Sequence, residues 1–131
     1  MPNTGATDNY VAKLVVVNAS DTSLNLQAFT LTAGSWLQDG GGIPMPGTQL
    51  APGHQLTYFN QADNAFAAIS GSLTFAPSNG GFVIPSWDRK AGAALIINAS
   101  ITSDTLTIQA NGTGVATNAP TAQYTITNIT G

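Results

Sequence analysis

Leu14-Val15-Val16-Val17-Asn18-Ala19-Ser20, followed by Leu24-Asn25-Leu26-Gln27-Ala28-Phe29-Thr30-Leu31-Thr32-Ala33, is the stretch that decides the fold. A mostly apolar, β-branched run stops at an Asn-Ala-Ser turn signal, and the chain then resumes with apolar residues at every second position. Alternation of this kind marks a strand with one buried face, because successive side chains leave a strand on opposite sides. Leu24, Leu26 and Ala28 set one phase, and Phe29, Leu31 and Ala33 set the other. Such a flip inside one run predicts a β-bulge near Ala28-Phe29 or a switch of sheet.

The same pattern recurs outward from this stretch. Strand candidates are His54 to Asn60, Ala67 to Ala76, Gly81 to Ile84, Ala93 to Ser100, Thr105 to Ala110 and Thr121 to Asn128. Pro77-Ser78-Asn79-Gly80-Gly81 lies between Phe75 and Phe82, and its Asn-Gly predicts a hairpin closed by a type I′ turn. Helix is scarce: the Ala-rich 61–68 segment supports one turn at most, with Asp63 and Asn64 against it. Gly34 to Gly53, with six glycines and three prolines, reads as an ordered surface loop. The chain of 131 residues fits one domain. The expectation is an all-β, single-domain antiparallel β-sandwich of about eight strands. An internal echo is present: strand, Asn-Ala-Ser, strand occurs at residues 14–28 and again at 95–110, as equivalent hairpins of two sheets, or chance in a Thr/Asn-rich chain, would produce.

Charge is sparse. Only 7% of residues are charged, against about 25% in an ordinary soluble domain. All six acids are Asp, the three bases are Lys13, Arg89 and Lys90, and the net charge is −3. Three bases cannot supply the phosphate contacts that nucleic-acid binding needs, so nucleic acid is excluded as a partner. The surface must be tiled with Thr, Asn, Ser, Gln and Gly, which offers little charge repulsion against self-association. With no cysteine and one histidine, a disulfide framework and a typical zinc site are both excluded. No run reaches the ~18 apolar residues of a membrane span. Met1-Pro2-Asn3-Thr4-Gly5 lacks the basic start of a signal peptide. The expected location is the cytoplasm, or outside the cell by a route without a classical leader.

Catalytic chemistry has few residues to use. His54 follows Pro52-Gly53 and reads as a solvated turn residue; no Gly-x-Ser-x-Gly elbow and no phosphate-cradling glycine pattern occurs. The chain therefore reads as a non-enzyme that needs no cofactor. Asn-x-Ser/Thr acceptor sequences stand at Asn18, Asn98, Asn111 and Asn128 and are expected to be unmodified. The densest spot is Pro85-Ser86-Trp87-Asp88-Arg89-Lys90, read as lying just after a strand, with one of two Trp and two of three bases. Indole beside cations suits a membrane interface or a sugar face; a Trp capping the core with solvated charges around it is the plainer reading. Trp36, before Asp39-Gly40, raises the same choice.

In their order these motifs resemble the aegerolysin family, small acidic β-sandwich proteins. The shared elements are a first strand ending in Asn18-Ala19-Ser20, Trp36 leading to Asp39-Gly40, and Pro52-Gly53 before a strand. Ala62-Asp63 linking to Gly71-Ser72-Leu73 and a strand running into Trp87-Asp88 complete them. The resemblance covers about residues 14 to 100. Arg89-Lys90 depart from it, since the family usually continues Trp-Asp with Cys-Pro and carries more Trp, Tyr and charge. The resemblance implies recognition of membrane lipid headgroups of sphingolipid type, and in some members cooperation with a larger perforin-like pore-forming protein. Trp36, Trp87 and Asp88 are the matching site positions; Arg89 and Lys90 join them on physical grounds, Arg89 as a partner for a lipid phosphate. A self-assembling structural protein (a fibre, shell or crystalline inclusion, hence a homo-oligomer) is the rival reading, and a lectin using the same Trp and Asn/Asp loops is the third.

Overall fold

Where the sequence alternates, the chain is strand. The computed structural model describes residues 10–37 and 42–129. In it β1 (Val11–Asn18), β2 (Leu24–Ala33), β3 (Ser35–Trp36), β4 (Gln49–Leu50) and β5 (Gln55–Gln61) make up the first half. The second half is β6 (Ile69–Pro77), β7 (Val83–Arg89), β8 (Ile96–Ile101), β9 (Leu106–Thr113) and β10 (Thr121–Asn128). Two five-stranded sheets result, ordered β3-β5-β1-β10-β9 and β4-β2-β6-β7-β8. Ten strands replace the expected eight because two-residue pairings, β3 and β4, form inside the segment read as loop. No helix occurs among the described residues, and the 61–68 segment finishes β5 and then crosses in turns.

The sheets face each other across one apolar core. β6 shows the pattern most cleanly, with Ile69, Gly71, Leu73, Phe75 and Pro77 inward and their neighbours half-exposed. Tyr124 ties the layers together: its ring is fully buried and its Oη donates to the Ser86 carbonyl of the opposite sheet at 2.5 Å. Pairing is antiparallel except at the centre of the first sheet, where β1 and β10 run parallel from Lys13↔Thr121 to Asn18↔Ile126.

The phase flip in β2 resolves into the bulge and not a switch of sheet, since β2 stays paired with β6 on both sides of it. Its register on β6 slips between Leu26 and Ala28, leaving Gln27 exposed as the bulged residue, one position before the expected site. The chain then changes sheet at Gly34, whose φ of +82° is unfavourable for any residue with a Cβ. A Cβ there would also lie 2.6 Å from both Asn60 Nδ2 and the Gln61 carbonyl oxygen. From Gly34 the chain enters β3 and pairs Trp36 with Asn60.

Two turn readings are corrected. The β6–β7 hairpin exists, with Phe75 opposite Val83, but its positive φ angles fall on Gly80 and Gly81 and none on Asn79. A type I′ turn on Asn79-Gly80 needs positive φ at both, so the five-residue loop closes differently, through Gly80 N–H to the Pro77 carbonyl at 3.0 Å. The internal echo is not a pair of hairpins, because β1 and β2 lie in different sheets and so do β8 and β9. Each is a corner between layers. The first is pinned by Asn18, which is 0% exposed: its Nδ2 donates to Thr22 O at 2.8 Å and Leu50 O at 2.9 Å, and its Oδ1 accepts from Ser20 N and Oγ. Asn98-Ala99-Ser100, by contrast, lies within β8.

Candidate functional site

Pro85-Ser86-Trp87-Asp88-Arg89 is not a loop after a strand but the strand itself, since β7 runs through to Arg89. Period-two geometry then splits the cluster. Trp87 and Arg89 point inward, 2% and 4% exposed, while Asp88 is half-buried on the outer face and Lys90 is exposed beyond the strand end. Trp87 at a headgroup boundary is therefore corrected: the indole is sealed in the core, and only Lys90 of the four reaches solvent freely.

Trp87 is held by two features. Its Nε1 donates to Asn60 Oδ1 at 2.8 Å. Gly71 makes room for the ring, since a Cβ there would meet Trp87 Cζ2 and the Thr30 carbonyl oxygen, each at 2.7 Å. Asn60 is itself fully buried and donates to Ser35 O at 3.2 Å and, more weakly, Ala33 O at 3.4 Å. Trp36 is half-buried at the centre of an aromatic group, with ring centroids 6.1 Å from Phe29, 5.9 Å from Tyr58 and 6.0 Å from Trp87, all edge-on. These are favoured aromatic geometries. The Trp36 Nε1 is enclosed without a partner among the described residues. The Asp39-Gly40 that follows lies outside the described residues.

Arg89 is the unusual group. Its Nε donates to Ala93 O and its Nη1 to Ala67 O, each at 2.8 Å. Its Cζ stacks 3.9 Å above the Tyr10 ring centroid, a cation–π geometry. Burial raises the Tyr10 phenol above its ordinary range and the guanidinium partly opposes that. Burial likewise raises Tyr58 and, most of all, Tyr124.

Arg89 also lines a half-open cavity of about 310 Å³. Its walls come from the β5–β6, β7–β8 and β9–β10 connections, which meet at the end of the sandwich where β1 and β10 begin. Phe66 stands at its rim, 74% exposed. Gly92 N–H donates to Phe66 O at 3.0 Å and joins two of the connections. Lys90 lies on the same β7–β8 connection. A second cavity of about 300 Å³ lies at the opposite end, lined by 79–81 and 102–105 and carrying Asp104 but no base. His54 is exposed in a turn, and its backbone carbonyl accepts from Asn18 N.

The sequence reading missed Asn60, Tyr10 and Phe66. Asn60 shares strand parity with Tyr58 and Ala62, so a polar residue on an inward face was the signal. Phe66, a lone aromatic in an Ala-rich crossing, was visible too; Tyr10 under Arg89 was not, since nothing local links residues 79 positions apart.

A two-layer β-sandwich with one mixed sheet, and with Arg89 and Phe66 at a cavity on one end, is the class of protein these features define. No family model matches the chain, and no curated protein matches it by sequence. Solved structures do share the fold. IP-1A from Alcaligenes faecalis superposes with a TM-score of 0.71 at 11% identity, covering 98% of this chain and 99% of that one. RahU, solved with a TRIS molecule, gives 0.66 at 14% identity over 93% and 97% of the two chains. The lipid-binding protein Nakanori gives 0.64 at 8% identity, covering 89% of this chain and 70% of its own.

Proposed function

We propose that this is a non-catalytic protein that recognises membrane lipid of sphingolipid type through the end of the sandwich bearing Phe66, Lys90 and the Arg89 cavity. The observation that carries the reading is Phe66, a large apolar ring 74% exposed beside a cavity floored by a cation. An aromatic at that position enters the boundary between headgroup and acyl chain, while the cation meets phosphate. The aegerolysin-like order of motifs and a fold shared with a lipid-binding protein support it. Cooperation with a larger perforin-like pore-forming protein belongs to the same proposal. Trp36 and Trp87 shape this end from within, Asp88 flanks it on the outer face of β7, and Lys90 and Phe66 make the contact.

Co-sedimentation with vesicles tests it. Wild-type protein pellets with sphingomyelin or ceramide-phosphoethanolamine vesicles and less with phosphatidylcholine alone. Burying one Phe contributes about 1.5–3 kcal/mol, so Phe66→Ala weakens binding about tenfold or more. Equal pelleting of wild type and F66A on every lipid sinks the reading.

Self-assembly keeps one supporting observation. β8 and β9 are edge strands of their sheets, and neither Ile96–Ile101 nor Leu106–Thr113 contains a charged residue or proline, the devices that usually discourage edge pairing. Growth of particles with concentration in the absence of lipid, measured by light scattering, favours this second reading.

A further inference from the structure

Of the guanidinium's five N–H groups, two are spent on the Ala93 and Ala67 carbonyls. Three are left without a protein acceptor among the described residues. A buried cation is costly unless it is paired or fully hydrogen-bonded. The two carbonyls and the Tyr10 face offset part of that cost with neutral groups. Arg89 also lines the 310 Å³ cavity, which is at the lower end of the size range of small-ligand sites.

The rest of the lining is chosen for room and neutrality. Ala65, Gly92, Ala93, Ala94 and Ala116 contribute no bulk, Thr117 and Asn118 contribute neutral polar groups, and among the described residues no acid lines the cavity. Thr117 Oγ1 already donates to Gly114 O at 2.6 Å, so the β9–β10 wall is held by its own turn. The cavity at the other end has similar volume but carries an acid and no base. Among the described lining residues, charge therefore distinguishes the two cavities, and the one with Arg89 favours an anion.

We propose that the Arg89 cavity is an anion site for a single phosphate group, monoester or diester, whose oxygens take the unused N–H groups of the guanidinium. Arg presents these donors as a planar fork matched to phosphate, and a Lys presents a point charge that does not. The ring of Tyr10 fixes the plane of the fork from below. This deepens, and rests on, the lipid reading in so far as the phosphate belongs to a headgroup; the same chemistry also fits a free phosphorylated solute.

The test titrates full-length protein with inorganic phosphate and with phosphorylethanolamine at constant ionic strength, against chloride as control. Amide NMR shifts and thermal midpoint are the readouts. Two variants accompany wild type: Arg89→Lys, and Ala116→Trp, which fills the cavity mouth and leaves the Arg89 bonds in place. The expected result is saturable binding of both phosphate compounds with shifts centred on residues 65–67, 89–94 and 116–118, weakened at least tenfold by each variant. Non-saturable response, or unchanged affinity in folded A116W, overturns the site. Sphingomyelin-vesicle binding, run in parallel, separates the two claims. If it falls tenfold in the same variants, the phosphate is the lipid's. If vesicles still bind while phosphate does not, the anion site is wrong and the lipid reading stands. If phosphate binds and no vesicle does, the site stands and the lipid reading falls.

Discussion

Replacing Asn60 by Ala removes the polar centre of the core, and the cost can be worked from its bonds. The Trp87 Nε1 loses its acceptor at 2.8 Å and is left as a buried, unpaired donor, a loss of about 1–3 kcal/mol. The Ser35 carbonyl loses a donor at 3.2 Å, worth about 0.5–1.5 kcal/mol; the 3.4 Å contact to Ala33 is too long to count for much. Together they come to about 1.5–4.5 kcal/mol, a large fraction of the 5–15 kcal/mol typical of a domain. In a Trp87→Phe background the first loss is already taken, so Asn60→Ala costs less there by about 1–3 kcal/mol. Urea unfolding followed by far-ultraviolet circular dichroism measures all four corners of this cycle. A cost below about 0.5 kcal/mol for N60A, or an additive cycle, refutes the reasoning. The experiment also bears on function: were Trp87 a lipid contact, W87F would weaken vesicle binding and leave stability untouched.

Gly71→Ala drives a methyl to within 2.7 Å of Trp87 Cζ2 and of a backbone oxygen; overpacking of this kind costs about 1–3 kcal/mol, read as a lower urea midpoint. The three tyrosines set an alkaline limit. Each phenol is raised by burial, so the folded state keeps protons that the unfolded chain releases. Their contribution is whole below about pH 10 and is lost as pH rises through the folded values. Stability therefore declines above that pH, by up to about 1.4 kcal/mol per pH unit from Tyr124 alone. Tyrosinate absorbance appearing together with loss of structure, and not before it, checks this.

Much of the fold was legible because its signals are local. Alternation placed eight of the strands, and β10 falls on Thr121–Asn128 as read. The phase flip at Ala28 left a bulge or a switch of sheet open, and pairing with β6 on both sides of the flip decides for the bulge. What failed depended on distant partners. β3 and β4 are two residues each, too short for any period, and exist because Asn60 and Asn25 lie across from them. The Trp87 cluster misled because composition looked like a surface site. Extending the strand through Pro85 would have shown that Trp87 and Arg89 share parity with buried Val83. Asn79-Gly80 favoured one turn, but the following Gly81 opened another.

The parallel pairing of β1 with β10 has a consequence for how the molecule is made. β10 sits between β1 and β9 in the finished sheet, yet it leaves the ribosome after every other strand described. Until it does, β1 has a vacant edge in the middle of what will be a five-stranded layer, and β9 has no neighbour in its sheet. The other layer, built from β2, β4, β6, β7 and β8, is complete by residue 101. Nascent chains stalled before residue 121 thus hold one complete layer and one split layer, the state in which this sparsely charged protein most needs a chaperone. Release of β10 closes the gap by pairing residues 108 positions apart, as Lys13 with Thr121, the kind of non-local contact whose loop-closure cost slows folding.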